Sequence, residues 1–184
     1  MEPLVGWRVW DVIETDGQLR LSSLAFWTIW QPQDAALARC RRSFESLRRG
    51  GITDHAAPVK RCSCGIYATR RSIHALPYLS RLFRSRPQAV HRVVGRVSLW
   101  GTVVESTRGW RASTAYPERL FVPTGRRRVR TYLSGLSLPA ISAEEIGLGL
   151  ADYGVPVELV DCATGKELAA ALEHSQPSQF ASPA

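Results

Sequence analysis

The first third of the chain is written in short apolar runs broken by turn residues. Trp7 to Ile13 (W-R-V-W-D-V-I) is rich in Val, Ile and Trp and predicts a strand. Thr15-Asp16-Gly17 predicts a turn, because Asp-Gly accepts the positive φ that a tight hairpin needs. Leu19 to Leu24 alternates apolar and polar positions, as a returning half-buried strand does. Phe26 to Trp30 is a further aromatic-rich run that Pro32 stops. Asp34 is placed to cap a helix from Ala35 to Leu47, with Gly50-Gly51 ending it.

Residues 51 to 64 read as a loop, and Gly65 to Ala68 as a short strand leaving it. Ser72 to Phe83 predicts a helix: Ile73, Leu76, Leu79, Leu82 and Phe83 share one face, with Pro77 near its start or kinking it. Arg84 to Gln88 is a basic break. Val90 to Glu105 is the strongest β pattern in the chain, and its glycines mark bulges or bends. Arg108-Gly109 turns the chain and Trp110 to Ala115 returns as a strand. Tyr116-Pro117 reads as another turn, and Leu120 to Pro123 ends the unit. Val12-Ile13-Glu14-Thr15 and Val103-Val104-Glu105-Ser106 each precede a turn, a short internal echo that supports a β core.

The last third changes character. Gly125 to Arg130 is a basic loop. Ser142 with Glu145 three residues on forms a capping box for a helix from Ala143 to Tyr153, which Gly154 closes. Val155 to Val160 is a strand whose proline predicts an edge position. A final helix from Lys166 to Glu173 leads into a Ser/Pro/Gln tail, residues 175–184, expected to be disordered. The expected fold is α+β. A twisted antiparallel β core, barrel- or sandwich-like, occupies residues 5–125 and carries a zinc-stabilised loop at 40–64. A small helix-strand-helix extension follows at 126–174.

Composition narrows this only slightly. The 184 residues suit one domain with a small appendage, and 45% hydrophobic content suffices for a core. Lys+Arg number 24 against 16 Asp+Glu, a formal charge of +8. Lys60 and Lys166 are the only lysines, and arginine forks suit phosphate and carboxylate recognition. An anionic partner, nucleic acid first, fits this balance, although a GC-rich genome yields the same arginine excess. Met1-Glu2-Pro3 lacks the basic and apolar regions of a signal peptide, and Leu21 to Trp30 is too short and polar to span a bilayer. A cytoplasmic location is expected, where thiols stay reduced and clustered cysteines favour metal over disulfide.

The cluster in question is Cys40, His55, Cys62 and Cys64, spaced C-x14-H-x6-C-x-C. These are ligands zinc selects, and four of them close a tetrahedral shell with no position left for substrate. The reading is therefore a structural zinc. Arg39, Arg41, Lys60 and Arg61 are expected to lower the thiol pKa values and balance the thiolates. Cys162 lies apart and reads as a small buried hydrophobe. A rival reading makes Cys64 a nucleophile with His55, His74 or His91 as base, but no third, orienting residue is evident. Glu14 and Glu105 sit at hairpin ends, where glutamates are usually solvated. Phosphate-loop, dinucleotide, zincin and nucleophile-elbow motifs are absent from the sequence.

Arg126, Arg127, Arg128 and Arg130 are the best phosphate-contacting candidates, with Arg61, Arg70 and Arg71 beside the metal loop. A solvated surface is the plainer account of the same residues. Trp10, Trp27 and Trp100 read as core, while Trp7 or Trp110, each beside a Gly and an Arg, is the candidate to face a ligand.

The segments H-A-A-P-V-K-R-C-S-C-G-I-Y-A (His55 to Ala68) and G-R-V-S-L-W-G-T-V-V-E…G-W-R-A-S-T-A-Y-P-E-R-L-F-V-P (Gly95 to Pro123) resemble a set of uncharacterised bacterial proteins, chiefly actinobacterial. The resemblance spans about residues 5 to 125 and carries no known activity. It implies only that the cysteine–histidine loop and the hairpin belong to one recurring unit. The expected function is a non-catalytic binding module with a structural zinc, nucleic-acid-binding and accessory or regulatory, not membrane-bound. A protein- or small-ligand-binding domain with a Trp-lined pocket, and a zinc- or thiol-dependent enzyme, stay open as alternatives.

Overall fold

A computed structural model describes residues 2–26, 28–40, 55–79, 89–124, 141–161, 168 and 170–172. Among them, eight strands form one sheet. Strand β1 (Leu4–Thr15) turns through Asp16 and Gly17, with φ of 52° and 71°, into β2 (Gln18–Ser23). Both φ values are the left-handed ones a two-residue hairpin requires, as Asp-Gly predicts. Short strands β3 (Ile29–Trp30), β4 (Ala36–Leu37) and β5 (Ile66–Thr69) follow. A one-turn helix α1 (Ser72–Ala75) runs into a 3₁₀ turn (Leu76–Leu79). The long hairpin β6 (Ala89–Ser106) and β7 (Gly109–Pro123) is the spine of the fold. Helix α2 (Ala143–Gly149), a 3₁₀ turn (Ala151–Tyr153) and strand β8 (Val157–Val160) come last, and residues 168 and 170–172 are helical.

The pairing closes a circuit. β6 lies between β1 and β7, while β5 bridges their outer edges through Trp7↔Thr69 and Ile66↔Ala112. Strand β4 continues the β7 edge beyond β5, and β8 takes its far end. The β8 pairing is parallel, so the sheet is mixed rather than antiparallel throughout. A long connection that includes α2 separates the two strands, and a parallel pairing needs such a crossover rather than a tight turn.

Two turn-and-helix expectations fail for identifiable reasons. Tyr116-Pro117 does not turn, and β7 runs straight through it. Pro117 falls at the register shift opposite Arg96/Val97, and on its other edge in the gap between the β4 and β8 pairings. Its missing N–H therefore costs no ladder bond. The helix expected from Ala35 does not start there. Ala36 and Leu37 pair with Ala115 and Thr114, and Ala38 N–H donates to Ser113 O at 2.7 Å. A bare stretch of β7 edge claims that backbone, overriding local helix propensity. The remainder of that expected helix, with Gly50-Gly51, lies outside the described residues.

The helix expected from Ser72 to Phe83 is an α turn that tightens to 3₁₀ at Pro77, and residues 80–83 lie outside the described residues. The capping box at Ser142 forms in both directions, with Glu145 N–H to Ser142 Oγ at 3.1 Å and Ser142 N–H to Glu145 Oε2 at 2.7 Å. Among the described residues, strand β8 pairs with β7 alone and stands at the edge. The tail at 175–184, the basic loop at 125–130 and Cys162 lie outside the described residues.

The larger core combines Trp10, Trp30, Val93, Val97, Leu99 and Leu120 with Ile146, Leu150 and Tyr153 from the later segment. Tyr153 is its polar rivet. Its hydroxyl accepts from Leu21 N–H at 2.9 Å and donates to Trp30 O at 2.6 Å, and burial pushes its pKa up to about 12. A smaller core holds Trp7 stacked on Phe121, with Leu76, Leu79, Leu168 and Leu172. Trp10 is fully buried as expected, but Trp100 is 37% exposed at a β6 bulge, and Trp27 lies outside the described residues.

Candidate metal centre

Two separate stretches of chain deliver the ligands. The first is the segment after β4, pinned by the Ala38–Ser113 backbone bond, which presents Cys40 two residues later. The second is the loop 55–64, which presents His55, Cys62 and Cys64 just before β5. A turn closes that loop, with Cys62 N–H donating to Val59 O at 3.1 Å. Gly65 then leaves it at φ of 120°, and a Cβ there would meet Arg111 Cβ and Pro58 Cβ at 3.0 Å. Only glycine satisfies both the backbone angle and the close approach.

The four ligand atoms lie within 4.8 Å of one another. Cys40 Sγ and Cys62 Sγ are 3.7 Å apart, far longer than the roughly 2.05 Å of a disulfide. A tetrahedron with metal–sulfur bonds of about 2.3 Å has sulfur–sulfur edges of roughly 3.8 Å. The observed spacing matches that edge. His55 Nδ1 lies 3.1 Å from Ala56 O; a donor role there leaves Nε2 with the lone pair that a metal takes. The chain thus holds a Cys3His cluster capable of coordinating a metal.

The sulfurs are not equivalent. Cys62 is lowered to about 6, first by the Cys64 backbone N–H directed at its sulfur, then by contacts with Cys64, Cys40 and His55. Cys64 is pushed up, first by burial and then by its sulfur neighbours. Of the basic side chains expected to lower these thiols, Arg39, Lys60 and Arg61 are not among the causes, and Arg41 lies outside the described residues. The C-x-C spacing does the work by putting the second cysteine's N–H on the first cysteine's sulfur. A buried thiol raised in pKa is also poorly suited to act as the nucleophile of the rival reading. Of its possible bases, His91 sits on β6 with Nε2 bonded to Pro123 O at 3.1 Å, and His74 is exposed on α1.

Sequence reasoning missed Arg111. This buried β7 side chain crosses to the metal loop and donates from Nη1 to Cys62 O and to Cys64 O, the latter at 2.8 Å, and from Nη2 to Val59 O at 3.4 Å. It gathers the loop carbonyls that no helix or strand satisfies. Tyr67 supports the same loop, its hydroxyl donating to Ser63 O at 2.5 Å while Arg111 lies 5.7 Å from its ring centre. The G-W-R-A motif contained the signal: an arginine at an inward-facing strand position needs carbonyl or carboxylate partners.

Of the predicted phosphate contacts, Arg61, Arg70 and Arg71 are exposed, while Arg126, Arg127, Arg128 and Arg130 lie outside the described residues. Arg70 pairs with Glu105 and lies 4.5 Å from the Trp110 ring centre. Trp7 is buried in the smaller core and Trp110 is half-buried; both line a pocket of about 360 Å³ against α1. Among the described residues, no helix is long and apolar enough to cross a membrane. No protein-family model, curated protein or solved structure matches the chain.

Proposed function

We propose that the protein is a non-catalytic nucleic-acid-binding module, accessory or regulatory in role, whose binding face is shaped by a structural zinc. Zinc is favoured because three thiolates and an imidazole at tetrahedral spacing are its preferred set. A shell filled by four protein ligands leaves no site for a reacting water, which favours scaffold over catalyst.

The observation that carries the nucleic-acid reading is where the metal loop puts its cations. Arg39 adjoins Cys40, and Lys60 and Arg61 adjoin Cys62, so convergence of the ligands gathers exposed charges from distant parts of the chain. At the other end of β5, Arg70 N–H bonds Arg108 O at 3.0 Å, which groups Arg70, Arg71 and Arg108. Two basic clusters thus lie about one four-residue strand apart, roughly 13 Å, a span of about two nucleotides along a backbone.

Fluorescence anisotropy with labelled oligonucleotides at 50 and 200 mM salt tests this directly. With about four phosphate contacts, affinity should fall roughly 100-fold across that range. Lys60→Ala with Arg61→Ala should weaken binding uniformly across sequences and flatten the salt slope. Binding that ignores salt, or none at 50 mM, overturns the reading.

A further inference from the structure

A cavity of about 500 Å³ opens beside the metal loop, between β3, β4 and the start of β5. Its lining includes Arg8, Phe26, Trp30, Leu37, Arg39 and Tyr67. That volume is in the range of small-molecule sites. Arg8 is the unusual member. Its Nη1 donates to Tyr67 O and its Nη2 to Ser23 Oγ at 3.0 Å. Its guanidinium lies 5.2 Å from the Trp30 ring centre and 5.9 Å from that of Trp10. Its Nε is buried with no partner. Among the described residues no carboxylate pairs with it, whereas buried Arg92 has Asp11 at 2.7 Å. Burial alone pulls Arg8 down to about 10.

A guanidinium held off bulk water normally has an anion beside it. Among the described residues, the only acidic one in the lining is Asp34, which is exposed, while Arg39 adds a second positive charge. At the rim, Phe26 is 57% exposed and held at φ of 70°, an unfavourable angle for a bulky side chain. Strain of that kind gathers at ligand sites, where surrounding structure enforces it. Trp30, buried behind Arg8, has its Nε1–H committed to Ser23 Oγ at 3.0 Å.

We propose that this cavity binds a small organic anion, a carboxylate or phosphate on a planar apolar body, with Arg8 as its anchor. The anionic oxygens take the Nη N–H groups of Arg8 that Tyr67 O and Ser23 Oγ do not, with Arg39 at the mouth. The planar body lies against the exposed rings of Phe26 and Tyr67. The proposal does not rest on the nucleic-acid reading: the two share Arg39 alone, and the anchor Arg8 and the concave site belong only to this one.

The test uses the full chain with benzoate and phenyl phosphate as probes and benzamide as the neutral control. Two-dimensional NMR follows the Arg8 Nε–H and Trp30 Nε1–H signals. One or both anions should shift them saturably, and bind roughly 10- to 100-fold more tightly than benzamide. Arg8→Lys keeps the charge but loses the fork, and should weaken the anion about tenfold or more. Phe26→Ala, at an exposed position, should weaken it a few-fold; it decides the matter with the wild-type titration if Arg8→Lys does not fold. Signals that stay still with both anions, or move equally with benzamide, overturn the proposal. So do shifts produced only by an oligonucleotide, which would make the cavity part of the nucleic-acid face.

Discussion

Residues 55–64 bury little apolar surface: Ala57, Pro58 and Cys64 are their buried positions. The β6–β7 hairpin, by contrast, carries Val93, Val94, Val97, Leu99, Leu120, Phe121 and Val122 at 0% exposure, along with a ladder running most of its length. Each such side chain contributes about 1.5–3 kcal/mol on burial. The hairpin is therefore stable through its own packing. The loop has almost no packing of its own, and depends on convergent sulfurs and on one arginine lent by the hairpin. Order in a small region can thus be imposed by ligand closure, provided a rigid neighbour positions the closing groups.

The largest effect that would separate the two regions is removal of the proposed zinc. A strong chelator, or Cys62→Ser, should release about one zinc per chain and lower the melting temperature by about 10 °C or more. Hydrogen exchange should rise across residues 55–64 while hairpin amides stay protected. A fully folded wild-type protein that purifies without metal would defeat the comparison.

The hairpin has its own decisive contact in the buried Arg92–Asp11 pair, 2.7 Å long with both side chains nearly inaccessible. Asp11→Ala strands a buried cation and should cost about 3–5 kcal/mol. Its signature is the reverse of metal loss: a lower urea midpoint with zinc affinity in the folded state unchanged.

Arg111→Gln joins the two regions. Shortening the fork removes the bonds to Cys62 O and Cys64 O, and metal affinity should fall about 10- to 100-fold. Competition with a chromophoric chelator measures this. An unchanged affinity would mean the loop holds its shape without the hairpin.

The smallest effect is a pH dependence confined to the hairpin. Burial lowers the His91 pKa below 6.5, against a weaker opposing effect of its Pro123 hydrogen bond. Below pH about 6.5 the unfolded chain takes up a proton that the folded His91 resists, so stability is full above that value and falls beneath it. The difference in urea midpoint between wild type and His91→Gln should shrink as pH drops from 7.5 to 5.5. Parallel curves would remove His91 as the cause.

Much of this architecture could be read along the chain. Asp16-Gly17 announces a hairpin because few residue pairs tolerate two successive left-handed angles. Ser142 and Glu145 announce a helix start because the box satisfies backbone donors locally. The Cys3His cluster could be named from residue type alone, since soft ligands are scarce and clustered here. These features are local: their physics is complete within a few residues.

What the sequence left open depends on which distant backbone lies alongside. Ala36-Leu37 is a strand because an unpaired stretch of β7 edge stands beside it. Pro117 stays extended because it falls where neither edge needs its N–H. Arg111 and Arg8 look like two more surface arginines until folding turns one beneath the metal loop and sets the other beside a cavity, with no carboxylate partner among the described residues. Propensity and spacing are short-range quantities, whereas edge pairing, burial and charge compensation are settled only when the sheet closes.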